Sequence, residues 1–118
     1  MELQGGKMSD TAPNPFAPTT VAVYCLDGPD SLPRRKAAAQ AHLRWIESML
    51  EHIAVAGPLY SDDGSRMTGS LYVFKTTSLE QARAWLESDP YFAQQFWSSI
   101  DYRPFLPAAG GLVGGTVW

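Results

Sequence analysis

Two histidines, His42 and His52, and one cysteine, Cys25, are the only imidazole and thiol groups in the chain. An imidazole takes and returns a proton near neutral pH, which makes a histidine the first candidate for general acid–base work. His42 is the odder of the two, because it sits in the middle of an apolar helical stripe. A histidine there has two readings. It is a core residue satisfied by one hydrogen bond, or it is a proton acceptor that needs a pocket and a carboxylate partner. Asp89 is one candidate partner, although an aspartate before a proline is also a stock helix N-cap. Both roles can hold, with one carboxylate oxygen capping and the other orienting His42. Asp27 competes for the same role, since it closes a strand just before the His42 helix; its bland reading is a turn residue. Arg35 projects on the same side as His42 and could bind an anionic or enolate oxygen. Otherwise it is a solvated surface charge. Ser70 could donate a hydrogen bond to a ligand or merely fill space at a strand start. Arg35, Ser70 and Asp27 are therefore candidate substrate contacts, and His42 is the candidate base, with Asp89 or Asp27 as its partner.

Other chemistries are poorly served. One cysteine allows neither an internal disulfide nor a cysteine-rich zinc site, and no metal site is expected. Asp62 and Asp63 are adjacent loop carboxylates without further oxygen ligands, which reads as a turn. Cys25 lies on an apolar strand and reads as a small inert hydrophobe. The net charge of -3, from 9 basic and 12 acidic residues, forms no basic stripe, so neither nucleic acid nor an anionic membrane is an expected partner. No apolar run approaches the roughly 20 residues of a membrane span. The amino-terminal stretch lacks the apolar core of a signal peptide, so a cytoplasmic protein is expected. Met8 could be the natural start.

The elements that must position these residues follow from pattern and punctuation. In 118 residues with 45% hydrophobic content there is one domain and a packed core. Residues 1–18, with Pro13, Pro15 and Pro18, read as a flexible arm. A buried strand is expected from Thr19 to Leu26, broken by Asp27-Gly28-Pro29-Asp30. Ala37, Ala38, Ala39 and Ala41 favour a helix from about Ser31 or Pro33 to His52. Its apolar face holds Ala38, Ala39, Trp45, Ile46, Met49 and Ile53. A second strand runs from Ile53 to Tyr60, and Pro58 marks it as an edge or a bulge. Asp62-Asp63-Gly64-Ser65 makes a hairpin loop to a third strand, Ser70 to Thr76. Ser78 caps a second helix that must end near Ser88, before Pro90, with Leu79, Ala82, Trp85 and Leu86 inward. Asp89-Pro90 opens a short further turn through Phe96, and Ser98 to Phe105 is the fourth strand. Residues 108–118 form a glycine-rich tail ending Thr-Val-Trp, which could add a strand.

This order is strand, helix, strand, strand, helix, strand. It predicts an α+β domain at 19–107 of ferredoxin-like βαββαβ type, with an antiparallel sheet and both helices on one face. The first two strands are apolar on both faces, and no further helix is available to cover the second face. A homodimer stacking sheet on sheet is expected.

The ordered set of short motifs resembles the YciI-like (YCII) family. It comprises Asp27-Gly28-Pro29-Asp30, Arg34 or Arg35, His42-Leu43, Ala56-Gly57-Pro58-Leu59, Asp63-Gly64, Gly69-Ser70, Asp89-Pro90-Tyr91 and Arg103-Pro104-Phe105. These run in register from Val21 to Phe105. The resemblance implies a ferredoxin-like dimeric α/β barrel with a histidine/aspartate-centred site, and one resembling domain removes chloride from a chlorinated hydroxyquinol. Where the family commonly carries a small Ala-Gly pair after Asp-Pro-Tyr, this chain has Gln94-Gln95, which is expected to change a pocket wall. Together these readings predict a small cofactor-independent enzyme. It would move a proton by a His42/Asp89 centre, in elimination or isomerisation, on a small cyclic or aromatic metabolite. The alternatives are a non-catalytic small-molecule-binding or regulatory module with the same cavity, and a purely structural dimerisation domain.

Overall fold

The computed structural model describes residues 14–117. Most of the expected amino-terminal arm, Met8 included, lies outside the described residues. The chain runs through β1 (Thr20–Asp27), α1 (Ser31–Ser48), β2 (Ile53–Tyr60), β3 (Met67–Phe74), α2 (Leu79–Glu87), α3 (Pro90–Ala93) and β4 (Trp97–Phe105). The first four strands make one antiparallel sheet in the order β2-β3-β1-β4, the ferredoxin-like arrangement. β2 is an edge strand with irregular register, which is where Pro58 can sit without breaking a ladder from both sides.

One face of the sheet carries the core. Val21, Val23 and Cys25 of β1 alternate inward, opposite Phe74, Tyr72 and Ser70 of β3. Met49, Ala82 and Leu86 close over them, with Trp45, Ile46 and Trp85 packed at the margin, so α1 and α2 cover this face. The other face holds Ala22, Tyr24 and Leu26 of β1 beside Val73, Leu71 and Gly69 of β3, with Val55 and Leu59 of β2 next in line. Tyr24 and Val55 are each 44% exposed, so this second face has an apolar, uncovered area.

Several expected boundaries shift for local reasons. α1 stops at Ser48 rather than His52, because the Met49 N–H turns back to the Ile46 carbonyl and Leu50–His52 tighten into a 3-10 turn. Arg35 joins Ala38 as a buried residue of α1, while Ala39, Trp45 and Ile46 are only half-buried. In α2, Leu79 is exposed and drops out of the inward stripe. β3 begins at Met67 and ends at Phe74. The short helix after Asp89 covers only Pro90–Ala93, not the run to Phe96. The glycine-rich tail adds no strand to the main sheet; it folds on itself as β5 (Ala109–Gly110) and β6 (Gly115–Thr116).

Gly69 shows why one of the motif glycines is required. A Cβ there would run into the Cys25 carbonyl on β1, so any side chain would push the two central strands apart. Cys25 itself has no exposed surface, and burial pushes its thiol up to about 12. A thiol pKa raised in the folded state favours the native protein at neutral pH and weakens it at high pH. Native Cys25 should therefore resist thiol reagents at pH 8 and react fully in urea. Unfolding free energy measured by urea titration should decline as pH rises above about 9, toward 12. Rapid native labelling would contradict the buried thiol.

Candidate active site around His42 and Asp89

Asp89 is the best-buried polar residue of the described chain, with its side chain fully out of solvent. A buried carboxylate is stable only if its lone pairs are filled. Here three donors fill them. One oxygen accepts from the Tyr91 backbone N–H at 2.9 Å and lies 2.8 Å from His42 Nδ1. The other accepts from the Tyr72 hydroxyl at 2.7 Å and lies 3.0 Å from the same Nδ1. The capping and the orienting roles thus coexist on one side chain, with Pro90 at the first helical position of α3 where its missing N–H costs nothing.

The carboxylate also fixes the imidazole. A nitrogen this close to a carboxylate carries the proton, so Nδ1–H donates, and in the neutral ring Nε2 keeps its lone pair. Nε2 makes no hydrogen bond to any described residue, and the ring lines a cavity of about 250 Å³. Tyr91 stacks on the imidazole at 3.8 Å between centroids and 3° between planes, which stops the ring from turning. The cavity walls come from four elements: Leu43 and Ile46 of α1, Ala56, Gly57 and Pro58 of β2, Ser70 and Tyr72 of β3, and Tyr91 of α3. The Ala-Gly-Pro motif is therefore a small-residue wall at the sheet edge. Burial and the neighbouring Asp89 charge push the Tyr72 phenol well above the usual range, so Tyr72 is a firm donor at any physiological pH.

Arg35 is no surface charge. It is buried, and its guanidinium grips Asp27 with two hydrogen bonds of 2.9 Å. Nη2 also donates to the Gly69 carbonyl and to the Ser70 hydroxyl, at 2.9 and 3.0 Å. The Phe96 and Tyr91 rings face the guanidinium at 4.9 and 5.4 Å. Arg35 and Ser70 do line the His42 cavity, as their positions in sequence imply. Asp27 does not: it is neither the partner of His42 nor in contact with that cavity, because both its oxygens are taken by Arg35. Gln94 and Gln95 also correct an expectation, since neither lines the cavity. The Gln94 carbonyl accepts from Arg34, and Gln95 takes a left-handed backbone at φ 55, a conformation glycine adopts more readily.

Two site residues escape the sequence reading. Tyr72 was legible in principle, because it alternates with Ser70 and Phe74 on the inward face of β3. Tyr91 stands in the Asp89-Pro90-Tyr91 motif, but no shared periodicity points to its stacking on His42, 49 positions away.

The fold and the site together define a small ferredoxin-like α+β domain with a buried aspartate–histidine pair at the wall of an apolar cavity. Comparison with known proteins adds the family. Residues 19–106 match the YCII-related domain. "Protein YciI" of Escherichia coli and that of Shigella flexneri are each 31% identical to the chain over 90 residues, covering 70% of it and 92% of their own length. The chain belongs to the YCII-related family. Among solved structures it resembles the 5-chloro-2-hydroxyhydroquinone dehydrochlorinase TftG of Burkholderia phenoliruptrix, in complex with 2,5-dihydroxybenzoquinone. The TM-score is 0.66 at 25% identity, over 78% of this chain and 96% of the other. No helix among the described residues is long and apolar enough to cross a membrane, and no group of three or more potential metal ligands occurs among them.

The geometry ranks substitutions at Asp89. Asp89→Ala removes the α3 cap and strands the Tyr72 and His42 donors, costing about 2–5 kcal/mol in urea unfolding. Asp89→Asn keeps a capping oxygen and should cost about 1–2 kcal/mol. Equal losses for the two variants would mean that capping does not hold this carboxylate.

Proposed function

We propose that this protein is a small cofactor-independent enzyme that removes a proton from a small cyclic or aromatic compound in an elimination or isomerisation. The observation that supports it most is the 2.8 Å contact of His42 Nδ1 with the buried Asp89 at the wall of the cavity. His42 Nε2 acts as the base. The imidazolium that forms lies against the Asp89 carboxylate, which offsets its positive charge without a water shell to rearrange. In an elimination the proton passes to Nε2 and the leaving group departs with the electron pair of its bond, a net loss of H–X. Tyr72 and Tyr91 are positioning residues: one holds Asp89, the other holds the ring of His42. The Ser70 hydroxyl and the edge of Arg35 face the same cavity and supply weaker ligand contacts. The similarity to a dehydrochlorinase in complex with a dihydroxyquinone favours a hydroxylated six-membered ring as the ligand. It equally favours elimination over isomerisation.

The test is chloride release from 5-chloro-2-hydroxyhydroquinone, alongside titration with 2,5-dihydroxybenzoquinone. His42→Asn keeps a polar side chain of similar reach and removes the base, so turnover should fall about 10²–10⁴-fold with the fold intact. A variant that melts earlier but turns over normally would make His42 a core residue. Binding of the quinone at His42 without turnover would favour the non-catalytic binding module.

The same proposal includes a homodimer. Tyr24, Leu26, Val55 and Leu71 give the uncovered sheet face an apolar character that a second copy would bury. Light scattering at micromolar concentration should report twice the 12.9 kDa chain mass. Tyr24→Lys should shift it toward monomer while the far-ultraviolet spectrum stays native. A wild-type monomer under these conditions would refute the dimer.

A further inference from the structure

A second cavity, of about 650 Å³, is lined by Arg35 but not by His42. Arg35 and Met67 line both cavities, so the two adjoin across those side chains. The second has a different chemistry. Its apolar part is Leu32, Tyr60 and Met67, and its polar part includes Ser31, Thr68 and Arg66. Arg66 makes no ion pair, and its guanidinium makes no hydrogen bond, to any described residue. The remaining charges of this cavity, Arg35 and Asp27, neutralise each other through their paired hydrogen bonds. Of the charged side chains that line this cavity, only Arg66 is left without a described partner, and its planar fork carries two parallel N–H groups that match a carboxylate. The first turn of α1 adds to it, because Asp30 does not cap the helix with its side chain and Ser31 and Leu32 form part of the wall. A doubly charged phosphate would find only one free cation here, so the balance favours a singly charged group.

Resting on the function proposed above, we infer that the ligand carries a carboxylate arm, bound by Arg66 in this second cavity while its ring lies beside His42. The arm passes Met67 and the buried Arg35–Asp27 pair, whose arginine lines both cavities. Specificity within the ring compounds then resides in Arg66, outside the catalytic pair.

The experiment uses the full chain and three probes, followed by backbone-amide NMR and calorimetry: phenylacetate, hydroquinone, and (2,5-dihydroxyphenyl)acetate, which joins the two. Phenylacetate should move the Leu32 and Thr68 amides, and Arg66→Met should weaken it at least tenfold, while Arg66→Lys retains part of the affinity. Arg66 is exposed, so neither variant should disturb the fold. The joined compound should bind at least tenfold tighter than hydroquinone in the wild type and no tighter in Arg66→Met. Still amides at Leu32 and Thr68, or an Arg66→Met protein that binds phenylacetate like the wild type, would overturn the carboxylate site. Phenylacetate binding with no advantage for the joined compound would overturn the spanning ligand. If hydroquinone leaves His42 unperturbed while phenylacetate still binds through Arg66, the ring site of the proposed function fails and the carboxylate site stands.

Discussion

A carboxylate sealed from water must have its oxygens filled, and Asp89 meets that demand by drawing three elements to one point. The Tyr91 N–H comes from α3, the Tyr72 hydroxyl from β3, and the imidazole of His42 from α1. Each donor is also a constraint on its own element. The start of α3 is set by the cap, the inward face of β3 must carry a hydroxyl at position 72, and α1 must present His42 to the sheet. Because all three converge on one side chain, the imidazole has a fixed tautomer and a fixed plane before any ligand arrives. Preorganisation of this kind would serve a proton-transfer centre, because a ring already held in place needs no reorganisation when a proton moves.

The Arg35–Asp27 pair is the second buried polar assembly, and it explains several motif residues together. A buried ion pair contributes little net stability, but breaking it by removing one partner leaves an uncompensated charge. Here the pair ties the end of β1 to the first turns of α1, and through the Gly69 carbonyl and Ser70 hydroxyl to β3. Gly69 must be glycine for β3 to approach β1, and that approach is what puts its carbonyl within reach of Arg35. The strand-end aspartate, the helix-start arginine and the Gly-Ser step are thus one structure. Its arginine lines both cavities.

Much of the fold was legible because its signals are local. Alanine content marks α1, β-branched runs mark β1, Pro58 marks an edge, and Ser78 and Asp89 mark helix starts that the structure places as caps. The ferredoxin-like order follows from the sequence of elements alone. Errors gathered where local signals run on past a tertiary decision: α1 reads as helical to His52, yet the chain must turn into β2, and Leu79 fits the inward period of α2 but lies beyond the edge of the core. For the site, the types and spacing of residues identified His42 and Asp89 as a possible pair and left Asp27 as a rival.

The sequence by itself determined which groups were available to do chemistry and which elements would carry them. Tertiary structure decided their partners. Asp27 and Asp89 are equally plausible mates for His42 when only chain position is known, because a turn hides where each strand end and helix start will lie. The turn between β1 and α1 brings Arg35 back beside Asp27, and the docking of α3 against α1 puts Asp89 against the imidazole. The stacking of Tyr91 and the hydroxyl of Tyr72 enter the same way, as contacts across 49 and 17 residues of chain. Hydrogen bonds in a dry interior depend on distances of a few tenths of an ångström, and only the packed sheet and helices set those distances.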